Sequence, residues 1–412
     1  MLYYVCNTAT EPVNPAFMLH RNKSGRATLT RTSPVTGPMG REFMPTIRPG
    51  LRLRASRKGR SAFARAAAIR DRLADLAGVR DDPGDLRARC YVPPGLTGPA
   101  PLVVVLHGCT QDAAVYDHGS GWSTLADRHG FLLLFPEQRR ANNPMLCFNW
   151  FSADDNRRGQ GEAASIRAMI EAMARAHEVD PARIFVTGLS AGGAMASAML
   201  ATYPDVFAAG AIIAGVAYGC ADGVAEAFDC MGGRARAGAR ELGARVRGAS
   251  AHRGPWPRVQ IWQGSADRTV VASNADAIAR QWAELHGRGA EPDRADSVAG
   301  YPRRTWLGAD GEPLIEQYSI TGMAHGIPLA GEEGLGEAGA HMLEVGLSST
   351  ARIAAFFGIA PQAEERETPA PRPPLPAPRR ARPAAARADR PDSAGSVQQV
   401  IEDALRKAGL MR

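Results

Sequence analysis

Arg183-Ile-Phe-Val-Thr-Gly-Leu-Ser-Ala-Gly-Gly193 joins a short apolar run to the start of a helical one through a turn made almost entirely of small residues. Ile184-Phe-Val186 has the character of a buried strand, and Gly193 to Tyr203 that of a helix. Gly188-Leu-Ser190-Ala-Gly192 must therefore redirect the chain within a few residues. A turn that sharp holds its serine in a strained backbone conformation and lifts the hydroxyl above the end of the sheet. Small neighbours are required because strand and helix backbones approach closely there. The helix that follows presents its N-terminus, and the N–H of Ala191 points to where a negatively charged oxygen would develop. A bare G-x-S-x-G string arises by chance, but this one sits between strand and helix. That setting makes Ser190 the candidate nucleophile.

Outward from this turn the alternation continues. Leu102-Val-Val-Val-Leu106, Phe131-Leu-Leu-Leu-Phe135, Ala211-Ile-Ile213 and Val259-Gln-Ile-Trp262 are apolar runs without polar alternation, as in parallel strands covered on both faces. Glu162 to His177 reads as a crossover helix. The pattern predicts an α/β protein, with a mostly parallel central sheet and crossover helices on both faces, over residues 86–360.

A serine is a poor nucleophile unless a base takes its proton and an acid orients that base. Asp267 ends the run Val259-Gln-Ile-Trp-Gln-Gly-Ser-Ala-Asp267, a strand closing in a small-residue turn, and is the candidate acid. His325, in the loop Thr321-Gly-Met-Ala-His-Gly326 after the strand-like Ile315 to Ile320, completes the chain order Ser…Asp…His as candidate base. His341 is the rival base, and its neighbours Met342 and Leu343 suggest a packed helix. His107-Gly108-Cys109 closes the Leu102–Leu106 strand, where this fold supplies a second oxyanion-hole N–H. We assign that donor to Cys109, with His107 shaping the loop and Ala191 as the other donor. Among aromatic residues, Trp150, Phe151 and Tyr116 are the candidate substrate contacts, Trp150 foremost. Cys220 with Cys230, and Cys109 with Cys147, are candidate disulfides, with free thiols as the alternative.

The ends of the chain read differently. Residues 1–60 hold eleven Lys and Arg against two Glu, a balance of +9, whereas the whole chain carries +7. The basic charge thus belongs to an irregular N-terminal extension rather than to a nucleic-acid-binding face on the main body. An amphipathic helix is predicted within 61–85, from Ala62 to Leu76. Residues 361–392 hold nine Pro and read as a Pro/Ala/Arg-rich linker. Residues 393–412 read as an amphipathic helix, capped near Ser396 and stopped at Gly409, that docks on its own core, a partner or a hydrophobic granule surface. No run approaches the ~18 consecutive apolar residues of a membrane span.

Leu106-His-Gly-Cys-Thr-Gln111, Cys147-Phe-Asn-Trp-Phe151, Gly188-Leu-Ser-Ala-Gly-Gly193, Trp262-Gln-Gly-Ser-Ala-Asp267 and Gly322-Met-Ala-His-Gly326 together resemble the polyhydroxybutyrate depolymerase family of esterases. These are α/β-hydrolases related to feruloyl and acetylxylan esterases. The resemblance covers about residues 86–358 and implies Ser190 as nucleophile, His325 as base and Asp267 as acid. It also implies cleavage of a short-chain polyester, or another carboxylic ester, through an acyl-enzyme with no metal or cofactor. The expected function is hydrolysis of poly-3-hydroxybutyrate-like esters. The alternatives are a feruloyl- or acetylxylan-type carbohydrate esterase, and a polymer-granule-binding protein with a vestigial hydrolase core. The resemblance points to an extracellular enzyme. Met1-Leu-Tyr-Tyr-Val-Cys6 is too short and lacks the basic start of an export signal, so a cytoplasmic location is the alternative.

Overall fold

The computed structural model describes residues 69–235 and 237–361. The expected N-terminal extension, the first part of the 61–85 helix, nearly all of the Pro-rich linker and the C-terminal helix lie outside the described residues. In chain order the elements are β1 (Ala74–Asp75), β2 (Arg87–Tyr91), β3 (Ala100–Leu106), α1 (Ala113–Ser120), α2 (Trp122–His129), β4 (Leu132–Glu137) and α3 (Gly161–Ala176). They continue with β5 (Val179–Leu189), α4 (Ala191–Thr202), β6 (Ala209–Ile213), α5 (Val224–Met231), α6 (Ala239–Ala249), β7 (Arg258–Gly264) and α7 (Ser273–Leu285). The last are β8 (Arg294–Val298), β9 (Tyr301–Leu307), β10 (Pro313–Ile320), β11 (Ile327–Leu329), β12 (Met342–Glu344) and α8 (Ser349–Phe356).

Ten strands form one sheet in the order β1-β2-β4-β3-β5-β6-β7-β10-β9-β8. The six central strands from β4 to β10 are parallel. Antiparallel strands extend both edges, β2 and β1 at one and β9 and β8 at the other. Alternate residues of β3 divide the core. Leu102, Val104 and Leu106 pack on one face with Met173, Met199 and Trp282 from α3, α4 and α7. Val103 and Val105 pack on the other with Trp122, Phe131 and Ile353. Every residue of β3 is buried, which is why this run lacks polar alternation. The chain passes from β3 outward to β4 and then returns to β5 on the other side of β3, so strand order reverses between β3 and β5. In open α/β sheets a ligand crevice forms at the carboxyl ends of strands at such a switch point.

The helix predicted over 61–85 is not found in its described portion. Residues 69–73 have no regular structure, and Ala74–Asp75 form an edge strand paired with Cys90 and Arg89. The reason lies in the partners of the apolar positions. Leu73 is buried in the second core cluster, and the Leu76 N–H donates to the Ala88 carbonyl. Arg89 donates to both the Asp71 carboxylate and the Leu73 carbonyl. These bonds hold the segment extended against β2.

Candidate active site

The sharp turn between β5 and α4 places Ser190 at φ 58°, ψ −117°, with its N–H donating to the Ile213 carbonyl at 2.9 Å. A non-glycine residue held in such a sparsely populated region costs about 1–3 kcal/mol and persists only where its surroundings determine it. Here they do, because the last six residues of β5 and all of α4 are buried. Gly192 has to be glycine, since a Cβ there would lie 2.3 Å from the Leu106 carbonyl oxygen.

Two strands further along the sheet, the end of β7 leads into Asp267, whose side chain is fully buried. One carboxylate oxygen accepts N–H bonds from Thr269 and Val270 at 2.8 and 2.9 Å. The other accepts from Gln263 Nε2 at 3.1 Å and faces Nδ1 of His325 at 2.7 Å. The carboxylate is thus fully saturated with donors and fixed in direction. With the Asp267 carboxylate on Nδ1, that nitrogen carries the imidazole proton and Nε2 is left unprotonated in the neutral ring. The His325 loop can approach this closely because Gly264 has no side chain: a Cβ there would lie 2.3 Å from the Met323 carbonyl oxygen. His341 is not on a helix. It adopts φ 61° beside a tight Gly339–Met342 turn, and its Nδ1 contacts the His325 carbonyl at 3.1 Å.

At the switch point, β3 lies against β5 with Leu106 opposite Gly188. The His107–Cys109 loop therefore starts beside the Ser190 turn. His107 is completely buried, which pushes its imidazole below its ordinary pKa and keeps the ring neutral. Its Nε2 accepts the Gln138 N–H at 3.1 Å, so Nδ1 carries the proton and donates to the Gly108 carbonyl at 2.8 Å. The amides flanking Cys109 are engaged, Gly108 N–H with Gln111 Oε1 and Thr110 N–H with the Met145 carbonyl. Ala191, as the first residue of α4, has an N–H without an intrahelical acceptor.

Ser190, Ala191 and Cys109 line one cleft of about 650 Å³. Trp150 and Phe151, both singled out from the sequence, form part of its wall, with their rings edge to face at 5.5 Å. Tyr116 does not. It is fully buried in the core on the far face, and its hydroxyl has no hydrogen-bond partner. Helix α1 begins at the Asp112 cap and turns Tyr116 inward rather than toward the cleft. The sequence reading missed the opposite wall, where Val224, Ala227, Phe228 and Met231 of α5 face Met145 and Trp150. Their spacing of i, i+3, i+4, i+7 is a helical stripe that could have been read.

Cys109 and Cys147 form a disulfide joining the His107–Cys109 loop to the Asn149–Trp150 loop, and Cys220–Cys230 links the approach to α5 with its last turn. Cys90 is a buried free thiol. Among the described residues no three His, Cys, Asp or Glu side chains gather as a metal site.

Residues 86–296 match the family model described as Esterase PHB depolymerase. The chain is 45% identical over 291 residues to poly(3-hydroxyalkanoate) depolymerase C of Paucimonas lemoignei, covering 70% of each chain. It is 32% identical to an acetylxylan esterase of Coprinopsis cinerea, over 63% of this chain and 71% of that one. Among solved structures, the acetyl xylan esterase from Aspergillus awamori matches with TM-score 0.60 at 25% identity, covering 70% of this chain and 99% of that one. The elbow serine, the parallel sheet with helices on both faces and these relatives agree: the chain is a carboxylic ester hydrolase of the α/β-hydrolase fold and belongs to the PHB depolymerase family of esterases.

Proposed function

We propose that the enzyme hydrolyses short-chain polyhydroxyalkanoate esters with Ser190 as nucleophile, His325 as base and Asp267 as acid. His325 Nε2 takes the Ser190 hydroxyl proton as Oγ bonds to the ester carbonyl carbon. The carbonyl oxygen becomes an oxyanion, received by the amides of Ala191 and Cys109. As the C–O bond to the alcohol breaks, His325 returns the proton to the departing oxygen, leaving an acyl-serine. Water, deprotonated by the same imidazole, then releases the acid and restores the serine. Asp267 holds the tautomer and stabilises the imidazolium.

The observation that carries the substrate reading is the cleft wall. Apart from Ser190 and Asn143 it is lined by apolar groups, among them Met145, Trp150, Phe151, Phe228 and Met231. Aliphatic hydroxyacyl units suit such a wall, whereas a sugar would leave its hydroxyls without partners. The acetylxylan-type reading remains as the second one, on the strength of the relatives at 32% identity. Two disulfides support an oxidising, extracellular place of action.

Hydrolysis of p-nitrophenyl butyrate by wild type and Ser190→Ala tests the chemistry, with a loss of at least roughly a thousandfold expected. Clearing of a hydroxybutyrate polymer suspension, compared with acetate release from acetylated xylan, tests the substrate. Turnover by Ser190→Ala above roughly a thousandth of wild type overturns the mechanism. Acetate release without polymer clearing overturns the polyester reading.

A further inference from the structure

Glu162 is a buried acid that takes no part in the relay above. It stands at the second position of α3, fully buried, with a carboxyl that three donors surround. Gln138 Nε2 and Asn149 Nδ2 both donate to one oxygen, at 2.5 and 2.8 Å. The Asn149 backbone N–H donates to the other at 2.8 Å. The two donor residues lead to different sides of the cleft. Gln138 carries the N–H that fixes His107, and its side chain also donates to the Cys147 carbonyl. His107 in turn holds the Gly108 carbonyl, one residue before the proposed oxyanion donor Cys109. Asn149 accepts from the Asn143 amide at 3.0 Å and precedes Trp150, and both Asn143 and Trp150 line the cleft.

We propose that Glu162 is a positioning residue that sets the oxyanion loop and the substrate wall relative to one another through Gln138 and Asn149. The inference rests on the reading of Ser190, Cys109 and the cleft given above. The geometry requires an acceptor at both oxygens, whether the group is ionised or not. A neutral carboxylic acid meets that need, because its hydroxyl oxygen still accepts. A glutamine does not, because in either orientation its NH2 faces a donor. Burial, reinforced by the charge of Asp155, pushes the Glu162 carboxyl up to about 8, and the bonds from Gln138 and Asn149 act against that rise. The helix N-terminus also favours negative charge at this position. The Cys109–Cys147 disulfide joins the same two loops covalently but leaves their side-chain directions to this network.

The test is Glu162→Gln with both disulfides intact, assayed on p-nitrophenyl butyrate per active site titrated with a fluorophosphonate. Displacing the oxyanion amide and the wall together should lower kcat and raise KM, with kcat/KM down roughly ten- to a hundredfold. Asn149→Ala removes only the wall side of the network, so it should raise KM while changing kcat less than Glu162→Gln does. If Glu162→Gln fails to fold, Asn149→Ala carries the test alone. Wild-type kcat and KM per active site in Glu162→Gln, or in Asn149→Ala, overturn the proposal. Wild-type protein that the fluorophosphonate does not label overturns the Ser190 reading instead, so the two failures are distinguishable.

Discussion

Ser190 carries the strain of the site in its own backbone, and the residues around it explain why that strain is tolerated. The glycines of the turn leave no room for error. Gly192→Ala, with its Cβ forced onto the Leu106 carbonyl, should destabilise the fold by about 3 kcal/mol or more, read as a lowered urea midpoint together with lost esterase activity. Tyr116 gives the opposite case. Its hydroxyl is buried and unpartnered, a condition that costs about 1–3 kcal/mol, and burial drives its pKa far up. Tyr116→Phe should therefore raise the melting temperature by a few degrees and leave kcat/KM unchanged; a loss of stability would reveal a partner for that hydroxyl. The contrast between the two residues shows what a sequence can convey. The Ser190 turn is a local object, because its small residues and flanking periodicities lie within a dozen positions. The direction of Tyr116 depends on how α1 lies against the sheet, which no local pattern specifies.

At the scale of elements, each wall of the cleft is tied by a disulfide, Cys109–Cys147 beside Trp150 and Cys220–Cys230 at α5. Cys220 and Cys230 stand 10 residues apart with Cα atoms 6.1 Å from each other. Removing that link by Cys220→Ser/Cys230→Ser should cost about 2–3 kcal/mol by loop-closure entropy. It should also raise KM for butyryl esters, because Phe228 and Met231 would no longer be held in the wall opposite Trp150. Phe228→Ala alone should raise KM with little change in kcat; an unchanged KM would remove α5 from the binding wall. Strands β3, β4 and β6 were legible because each is a largely apolar run buried on both faces. Helix α5 was not, because its apolar stripe spans only about two turns and Gly-rich segments flank it. Strands β8 and β9 escaped for another reason. They form an antiparallel extension of the sheet in which β8 is exposed but for Val298 and β9 buries Thr305 and Trp306 between charged and polar positions, so neither offers an apolar run to read. The predicted helix near Leu76 failed because its apolar positions found a sheet edge nearby, and tertiary partners outweighed helical spacing.

Over the whole molecule, two buried titratable groups beside the cleft give stability a pH dependence of known sign. His107 is held neutral, with its pKa lowered by burial from 6.5. Below pH 6.5 the unfolded chain binds a proton there that the folded chain does not, so stability falls as the solution is acidified. Glu162 behaves in the reverse sense. Its carboxyl is raised by burial from 4.5 to about 8, so between those values the folded chain binds more protons than the unfolded one. Stability contributed by this group therefore declines as pH rises from 4.5 to 8 and is level beyond, a change on the order of 5 kcal/mol. Asp117, buried in α1 and also raised by desolvation, acts with the same sign once pH exceeds its unfolded value of 3.8. Urea unfolding of the wild-type protein from pH 5 to pH 9 should thus show a midpoint that decreases through pH 7–8. In Glu162→Gln the position cannot ionise, so that decrease should be smaller even though the variant starts from a lower stability. An equal slope in both proteins would mean that Glu162 is already ionised in the folded state. The three donors around it would then outweigh burial.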